Sequence, residues 1–256
     1  MSKKQLIIHM DDMGSSHAAN AAGIALFKKG IVTSCSVMMP CAYAYDFIRW
    51  WKDNPQYDTG IHFTLTCEWD NAKWRPVGER SKTASLWSPE GFMWQGNDSV
   101  VEHAMPAHVY HELDAQIQLA LAWGLKPSHL DRHMHTVMMT DAMYKIYVEL
   151  AKKYDICLQL VKGEWTPCPE LETGSPPLDY LIGVGDDLYE TLRNLKPGVT
   201  QITIHPVIDT PEIRYIIPGW EERVREYELF MGDGVLDAVR ECGIELVGYG
   251  GVGVSG

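Results

Sequence analysis

The chain has 256 residues, of which 46% are hydrophobic, so it can bury a full core, and we expect a single domain over residues 1–256. Its formal charge of −12 at pH 7, with no cluster of Lys and Arg, argues against a nucleic-acid partner. The apolar stretch near the start is too short for a signal peptide or a membrane span. Six scattered cysteines without a C-x-x-C pair are typical of free thiols in a reducing compartment, so we expect a cytoplasmic protein.

Short β-rich segments alternate with helical patterns along the whole chain. The first strand is predicted at "QLIIHM" and the first helix directly after it, with Ser15 or Ser16 as N-cap and Gly30 just past its end. Further strands are predicted at "VTSCSVMMP", "TGIHFTLT", "ICLQLV", "DYLIGV", "TQITIHP" and "GIELVGYG". Further helices are predicted at "AYDFIRWWKDN", "HVYHELDAQIQLALAWG", "DAMYKIYVELAKKY" and "DDLYETLRNLK", and the segment "GVLDAVREC" continues the same alternation before the last strand.

Seven or eight such units in this length are what a barrel of parallel strands ringed by helices requires. An open doubly wound α/β sheet would satisfy the same alternation. The helix at "HVYHELDAQIQLALAWG" is predicted to be amphipathic, with Val109, Leu113, Ile117 and Leu121 on one face.

Aspartate and histidine residues occur at or near the ends of several predicted strands. They are, in chain order, Asp11, Asp12, His62, His133, His135 and His205. Because the loops after the strands of a parallel barrel gather at one face, we expect these side chains to converge there. The two-residue spacing of His133 and His135 predicts that both lie on one face of an extended segment, although only one need be a ligand.

A carboxylate together with imidazoles from separate strands is typical of a divalent metal site that leaves positions open for water. The ion would activate water and polarise a substrate oxygen. One aspartate of the pair would bind the ion while its neighbour takes a proton. Taken alone, such a pair is more often a helix cap, and a lone strand histidine such as His9 or His129 is more often structural. Convergence of several strand ends favours a site.

The segments "HMDDMG", "GIHFTLT", "PSHLDRHMH" and "IHP", in this order, resemble the YdjC-like family of carbohydrate deacetylases, which includes the chitooligosaccharide deacetylases. The resemblance extends from residue 6 to about residue 250. It implies an irregular (β/α) barrel, similar to a TIM barrel, with parallel strands and outer helices. It also implies one divalent metal ion held by one aspartate and two histidines, with magnesium and zinc as the leading expectations.

Carried across by position, the resemblance implies that Asp12, His62 and His133 bind the metal. It implies that Asp11 is the general base and His205 the general acid in hydrolysis of an N-acetyl group on an amino sugar. Asp131, inside "HLDRH", either orients a ligand histidine from behind or braces the strand end.

Three positions depart from what is common in the family: His9 replaces an asparagine, Met13 a phenylalanine and Arg132 a small residue. Arg132 beside a metal ligand suggests contact with a phosphate or carboxylate of an anionic sugar, and the alternative is a surface arginine. We assign His135 to the substrate as well.

The segment 67–96 is too long for an ordinary connector and is rich in tryptophan. Placed after the strand that carries His62, it would lie over the site. We expect most of its rings to pack the loop, and one or two, with Trp69 as our choice, to contact a sugar ring. The proline-rich stretch "GEWTPCPELETGSPPLDY" is predicted to be a loop without chemistry.

Two alternative functions remain open at this point. One is a metal-dependent hydrolase of another bond, a phosphoester or a non-sugar amide, and the other is a metal-containing sugar-binding protein without turnover. In each case the partner is a small molecule, with no nucleic acid and no membrane. A homo-oligomer is compatible with the sequence, which does not determine assembly.

Overall fold

The structure is a computed structural model that describes residues 3–162, 175, 178–182 and 188–251. Most of the stretch "GEWTPCPELETGSPPLDY" and Cys168 lie outside the described residues, so the predictions made for them are not addressed.

The strands that the structure describes form a parallel sheet. They are β1 (Lys4–Met13), β2 (Ser34–Val37), β3 (Asp58–Phe63), β4 (His129–Arg132), β5 (Cys157–Leu158), β6 (Asp179–Ile182), β7 (Gly198–Ile204) and β8 (Glu245–Leu246). Their order is β5-β4-β3-β2-β1-β7-β6, and β8 pairs with the first half of β1. The ends of this order approach each other, because Val161 forms a parallel bridge with Leu178. The fold is therefore the predicted irregular (β/α) barrel.

Helices surround the sheet. They are α1 (His17–Lys29), α2 (Ala44–Lys52), α3 (Asn97–His103), α4 (Pro106–Ala122), α5 (Asp141–Tyr154), α6 (Leu188–Asn194), α7 (Pro211–Ile216), α8 (Trp220–Met231) and α9 (Gly234–Glu241). As predicted, Ser16 caps α1 by accepting a hydrogen bond from the Ala19 N–H, and Gly30 ends it in the left-handed region. The sequence analysis did not predict α3, α7 and α8. Among the described helices, none has both the length and the apolar character that a membrane crossing needs.

Strand β1 is buried on both faces, as a central strand of a parallel sheet must be. Ile8 and Met10 face the large core between the sheet and the helices. Ile7 faces the barrel interior, where it packs in a small cluster with Leu178 and Tyr249. Along this interior face, towards the carboxyl ends of the strands, the side chains become polar and form the candidate site.

One predicted helix face is wrong in part. Val109, Leu113 and Ile117 of α4 are buried, but Leu121 is 43% exposed and Ala120 is buried instead. A step of four residues overshoots a full helical turn by about 40°, so three such steps rotate the last side chain by about 120°. Leu121 has therefore turned away from the core.

The tryptophan-rich segment 67–96 is held together by its own rings, as expected. The Trp74 indole donates a hydrogen bond to the Thr66 carbonyl at 2.7 Å, and the Trp94 indole donates to the Ser85 carbonyl at 2.8 Å. Both bonds satisfy the polar edge of a large apolar ring that the segment packs inward. The segment thus has a small core of its own.

The cysteines that the structure describes form no disulfide. They are Cys35, Cys41, Cys67, Cys157 and Cys242, and all five are free, as the sequence predicted for this part of the chain.

We expect Gly60→Ala to destabilise the barrel. A Cβ at Gly60 would lie 2.6 Å from the backbone oxygen of His129 on the neighbouring part of the sheet, which cannot move aside cheaply. The free energy of unfolding should fall by about 2–3 kcal/mol, measured by urea denaturation. Gly251→Ala is the control, since its nearest neighbour, Val247, is at an ordinary 3.7 Å, and its effect should stay within about 0.5 kcal/mol. Equal effects of the two substitutions would contradict the steric explanation.

Candidate active site

The carboxyl ends of β1, β3 and β4 bring together the three residues predicted to bind a metal. Asp12 Oδ1 lies 3.1 Å from His133 Nδ1 and 3.5 Å from His62 Nε2. All three side chains are buried, and their ligand atoms lie within 4.8 Å of one another. The structure therefore places Asp12, His62 and His133 in one cluster.

An irregularity at the end of β1 directs both neighbouring aspartates towards His62. Adjacent residues of a regular strand point to opposite faces. Between Met10 and Met13, however, β1 has one residue more than β2, and Asp12 adopts a left-handed φ of 63°. As a result, Asp11 Oδ2 lies 3.8 Å and Asp12 Oδ1 3.5 Å from the same His62 nitrogen. Such bulges commonly redirect side chains next to active sites.

The cluster fits a divalent ion. Asp12 Oδ1 is buried and accepts no hydrogen bond from the described residues, although two imidazole nitrogens are near it. Two ligand atoms that each lie about 2.1 Å from one ion are separated by about 3.0–3.4 Å at octahedral to tetrahedral angles. The separations from Asp12 Oδ1 to His133 and His62 are close to this range. An ion bound between these groups would satisfy the oxygen that otherwise lacks a partner.

Each of the two histidines has a carboxylate behind it. His62 Nδ1 donates to Asp131 Oδ1 at 2.7 Å, and His133 Nε2 donates to Glu68 Oε1 at 2.9 Å. His62 and Asp131 are neighbours in the register of β3 and β4, so both point into the barrel. These bonds leave His62 Nε2 and His133 Nδ1 free to face Asp12. Carboxylates in this position orient metal-binding histidines and raise their basicity.

Opposite charges control the pKa values in the cluster. Burial lowers the pKa of His133, but Glu68 and Asp12 raise it more strongly, to about 9. Burial raises the pKa of Asp12, but the Arg223 guanidinium and His133 hold it well below its ordinary value. The carboxylates therefore make this pocket attractive to cations, and a proton and a metal ion compete for the same imidazole nitrogen.

The predicted base and acid lie side by side at this cluster. Asp11 Oδ2 is 3.7 Å from His205 Nε2, and the His205 ring keeps 27% of its surface exposed. The position of His205, directly after β7, is fixed by its backbone N–H, which donates to Glu226 Oε2 at 2.7 Å. Burial lowers the pKa of His205, so its ring is neutral at pH 7 and able to accept a proton.

Residues 5–241 match the model of the family described as YdjC-like protein. The chain belongs to the YdjC-like family. A relative from Thermus thermophilus named carbohydrate deacetylase is 32% identical over 242 residues, which cover 88% of this chain and 85% of the relative. Another of that name, from Clostridium beijerinckii, is 28% identical and covers 96% and 98% of the two chains.

The YdjC-like fold is also seen in a crystal structure. It is that of an Enterococcus faecalis V583 protein for which cellobiose-phosphate cleavage has been suggested. The two structures superpose with a TM-score of 0.85 at 26% identity, over 97% of this chain and 98% of the other. The barrel fold is therefore shared along almost the whole length of both proteins.

Helix α8 of this YdjC-like chain contributes two site residues that the sequence analysis missed. Arg223 donates to Asp12 Oδ2 at 2.7 Å, and its guanidinium lies 5.7 Å from the centre of the Trp69 ring. Glu226, one turn later, accepts the backbone hydrogen bond of His205. The apolar residues Val224, Tyr227 and Met231, spaced at i, i+3 and i+7, could have predicted the helix, but not its contact with Asp12.

Glu68 and His9 were missed for a different reason. Glu68 follows the strand of His62 by only a few residues, yet it contacts His133 rather than His62. His9, interpreted as structural, lies 2.9 Å from Asp131 and 3.1 Å from Asp11 through Nε2. The two-residue spacing in β1 indicates that His9 and Asp11 share a face, but no spacing or residue type indicates the pairing of Glu68 with His133 or of His9 with Asp131.

The prediction that His133 and His135 share an extended face is wrong. The chain leaves β4 at Arg132 and turns sharply, with left-handed φ values of 54° at Met134 and 55° at His135. The turn is braced by Asn97, whose Nδ2 donates to the Met134 carbonyl at 2.8 Å. His133 therefore lies in the metal cluster, while His135, half-buried, lies beyond the turn.

Arg132 is not a surface residue, so that alternative is wrong. Its side chain is 3% exposed, and NH1 donates to both the backbone oxygen and Oε1 of Gln159, each at 3.0 Å. Trp69 is also buried and packs edge-on against Trp74 at 5.4 Å. Contact of Arg132, His135 or Trp69 with a substrate stays a prediction.

We expect Asp131→Asn to weaken metal binding. The amide no longer accepts a charge-assisted hydrogen bond from His62 and does not hold its tautomer as firmly, so the Kd for Zn²⁺ should rise about 10- to 100-fold. Competition with a chelating dye measures this. Asp237→Asn, an exposed aspartate on α9 that pairs with Arg240, is the matched control and should leave the Kd unchanged. An unchanged Kd in Asp131→Asn would show that Asp131 only braces the strand end.

Proposed function

We propose that the chain is a metal-dependent hydrolase that removes the N-acetyl group from an amino sugar or a short chitooligosaccharide. The observation that carries the proposal is the convergence of a three-residue metal cluster with the pair Asp11 and His205. The carbohydrate deacetylase names of full-length relatives support the sugar amide as the bond that is cleaved.

Asp12, His62 and His133 would hold one divalent ion. When bound there, the ion supplies Lewis acidity, which lowers the pKa of water and polarises an amide carbonyl. Two imidazole nitrogens favour zinc over magnesium, since magnesium prefers oxygen ligands.

Asp11 is placed to act as the base. Burial raises its pKa, but His62 and His9 lower it below the ordinary value, so the group is ionised at pH 7. Its Oδ2 faces the gap between His62 and His205, at 3.8 Å and 3.7 Å. In this position Asp11 takes a proton from the attacking water as the water oxygen bonds to the acetyl carbon.

His205 is placed to act as the acid. A neutral imidazole must first receive a proton before it can protonate an amine, and Asp11, whose Oδ2 lies 3.7 Å from His205 Nε2, is placed to supply it. The proton passes from Asp11 to His205 and then to the amine nitrogen as the carbon–nitrogen bond breaks. The products are acetate and the free amino sugar.

We propose a neutral sugar rather than an anionic one as the substrate. Arg132, the residue that suggested an anionic substrate, has its NH1 engaged with Gln159. We propose that Arg132 braces β4 against the chain after β5. His135 and Trp69 remain the proposed contacts of the sugar: His135 follows His133 by two positions in the chain, and Trp69 lies beside Arg223.

We expect Asp11→Asn to abolish acetate release while metal stays bound. The amide cannot accept the proton of water, so kcat should fall by at least about 100-fold. The assay is acetate release from N-acetylglucosamine mono- and disaccharides by protein loaded with single ions, with metal content measured in parallel. Asp237→Asn is the matched control and should retain wild-type kcat. Full activity in Asp11→Asn would show that Asp11 is not the general base.

A substrate panel tests the bond and the charge of the substrate. Free and 6-phosphorylated N-acetylglucosamine substrates should react with kcat/KM values within about threefold, because no discriminating contact with phosphate is proposed. A preference for phosphorylated sugars above about tenfold would indicate that Arg132 contacts the phosphate of the substrate. No acetate from any sugar, with the ion still tightly bound, would favour a phosphoester, a non-sugar amide or a binding role instead.

A further inference from the structure

His9 lies where it contacts two carboxylates of the site at once. It is fully buried in β1, two residues before Asp11, and therefore faces the same side of the strand. Its Nε2 is 2.9 Å from Asp131 Oδ2 and 3.1 Å from Asp11 Oδ1. Asp11 is the proposed base, and Asp131 is the carboxylate behind His62. A single imidazole nitrogen thus connects the base to the support of a metal ligand.

Asp131 is held through both of its oxygens. Oδ1 accepts the hydrogen bond of His62 Nδ1, and Oδ2 accepts one from Ser36 Oγ at 2.6 Å. The His9 ring approaches the same Oδ2 from a different strand. With its two oxygens fixed in this way, the Asp131 carboxylate cannot rotate without losing the bond that orients His62.

His9 also affects the electrostatic repulsion between the carboxylates of Asp11 and Asp131, because its Nε2 contacts both of them. The side chain of Asp131 is 1% exposed and that of Asp11 13% exposed, and a carboxylate oxygen of each approaches the same nitrogen of His9. Burial lowers the pKa of His9, but Asp11 and Asp131 raise it to about 9. A cationic imidazole between two buried carboxylates offsets their repulsion and their desolvation.

We propose that His9 is a positioning residue whose Nε2–H fixes the base Asp11 and the Asp131–His62 pair in one arrangement. The part of this proposal that concerns Asp11 rests on the proposed deacetylase function. The part that concerns His62 does not, because it acts on metal affinity.

His129 provides a control at the same depth of the barrel. It is fully buried, its ring lies 5.0 Å from the His9 ring, and it stacks on Tyr249 at 3.8 Å. Its Nε2 is 3.9 Å from Asp131 Oδ2, which is too far for a hydrogen bond. His129→Phe keeps the stacked ring and tests whether any change in this buried layer harms the site.

The experiment compares His9→Leu, His9→Asn and His129→Phe, each confirmed to be folded by thermal unfolding. Two quantities are measured: the Kd for Zn²⁺ by dye competition, and kcat and KM for acetate release by the zinc-loaded enzyme. His9→Leu removes the donor, so kcat should fall about 100-fold with KM within about twofold, and the Kd should rise about 10-fold. His9→Asn keeps an N–H donor and should recover most of both losses. His129→Phe should match the wild type.

Several results would overturn the proposal. Wild-type Kd and kcat in His9→Leu would show that the contact has no effect, and equal losses in His9→Asn and His9→Leu would show that the donor is irrelevant. Losses in His129→Phe as large as those in His9→Leu would indicate packing alone. Two Zn²⁺ per chain, falling to one in His129→Phe, would assign His9 to a second metal site. If His9→Leu does not fold, His9→Ala provides the same comparison.

The experiment distinguishes failure of the proposed deacetylase function from failure of the proposed role of His9. If the wild type releases no acetate from any sugar, the proposed function fails, while the Kd values of the three variants still decide whether His9 supports His62.

Discussion

Buried negative charge is the constraint on which the site depends. Asp12 and Asp131 are buried and the Asp11 side chain is only 13% exposed, and a carboxylate in that environment persists in its ionised form only when cations or donors face it. Each has such a partner: Asp11 faces His9, Asp12 faces Arg223, and Asp131 faces His62. The pairs come from different strands and from a helix, so the charges balance only when the whole barrel is assembled.

The same charge balance prepares the site for a cation and for proton transfer. Carboxylates hold His62 and His133, the two proposed ligand histidines, in fixed orientations, with one nitrogen of each directed at Asp12. Asp11, one residue earlier, lies beside His205, with Oδ2 3.7 Å from the His205 Nε2. The extra residue in β1 allows Asp11 and Asp12 to take the two different proposed roles of base and metal ligand. It turns both adjacent carboxylates towards His62 and leaves them with different other neighbours.

Helix α8 connects the stability of the barrel to its proposed chemistry. The helix is anchored in the core by Val224 and Phe230, and two of its residues, Arg223 and Glu226, contact residues of the site. Arg223 neutralises Asp12, and Glu226 fixes the backbone of His205. Packing of one helix thereby positions both a proposed metal ligand and the proposed acid, so loosening of α8 would affect metal binding and proton transfer together.

The sequence by itself determined the alternation of strands and helices, the caps of α1 and the positions of Asp11, Asp12, His62 and His205 at strand ends. These features follow from periodicity and local propensity, which neighbouring residues encode. Local periodicity also had limits, since it placed Leu121 on the buried face of α4 and predicted an extended chain through Met134.

Only the tertiary structure decided which charges meet. Glu68 pairs with His133 across 65 positions, His9 with Asp131 across 122 and Arg223 with Asp12 across 211. Such contacts depend on strand order and helix packing, and the distance between two residues in a folded barrel bears no fixed relation to their separation along the chain. The left-handed turns at Asp12 and His135 belong to the same class, because surrounding contacts rather than local preference hold a non-glycine residue there.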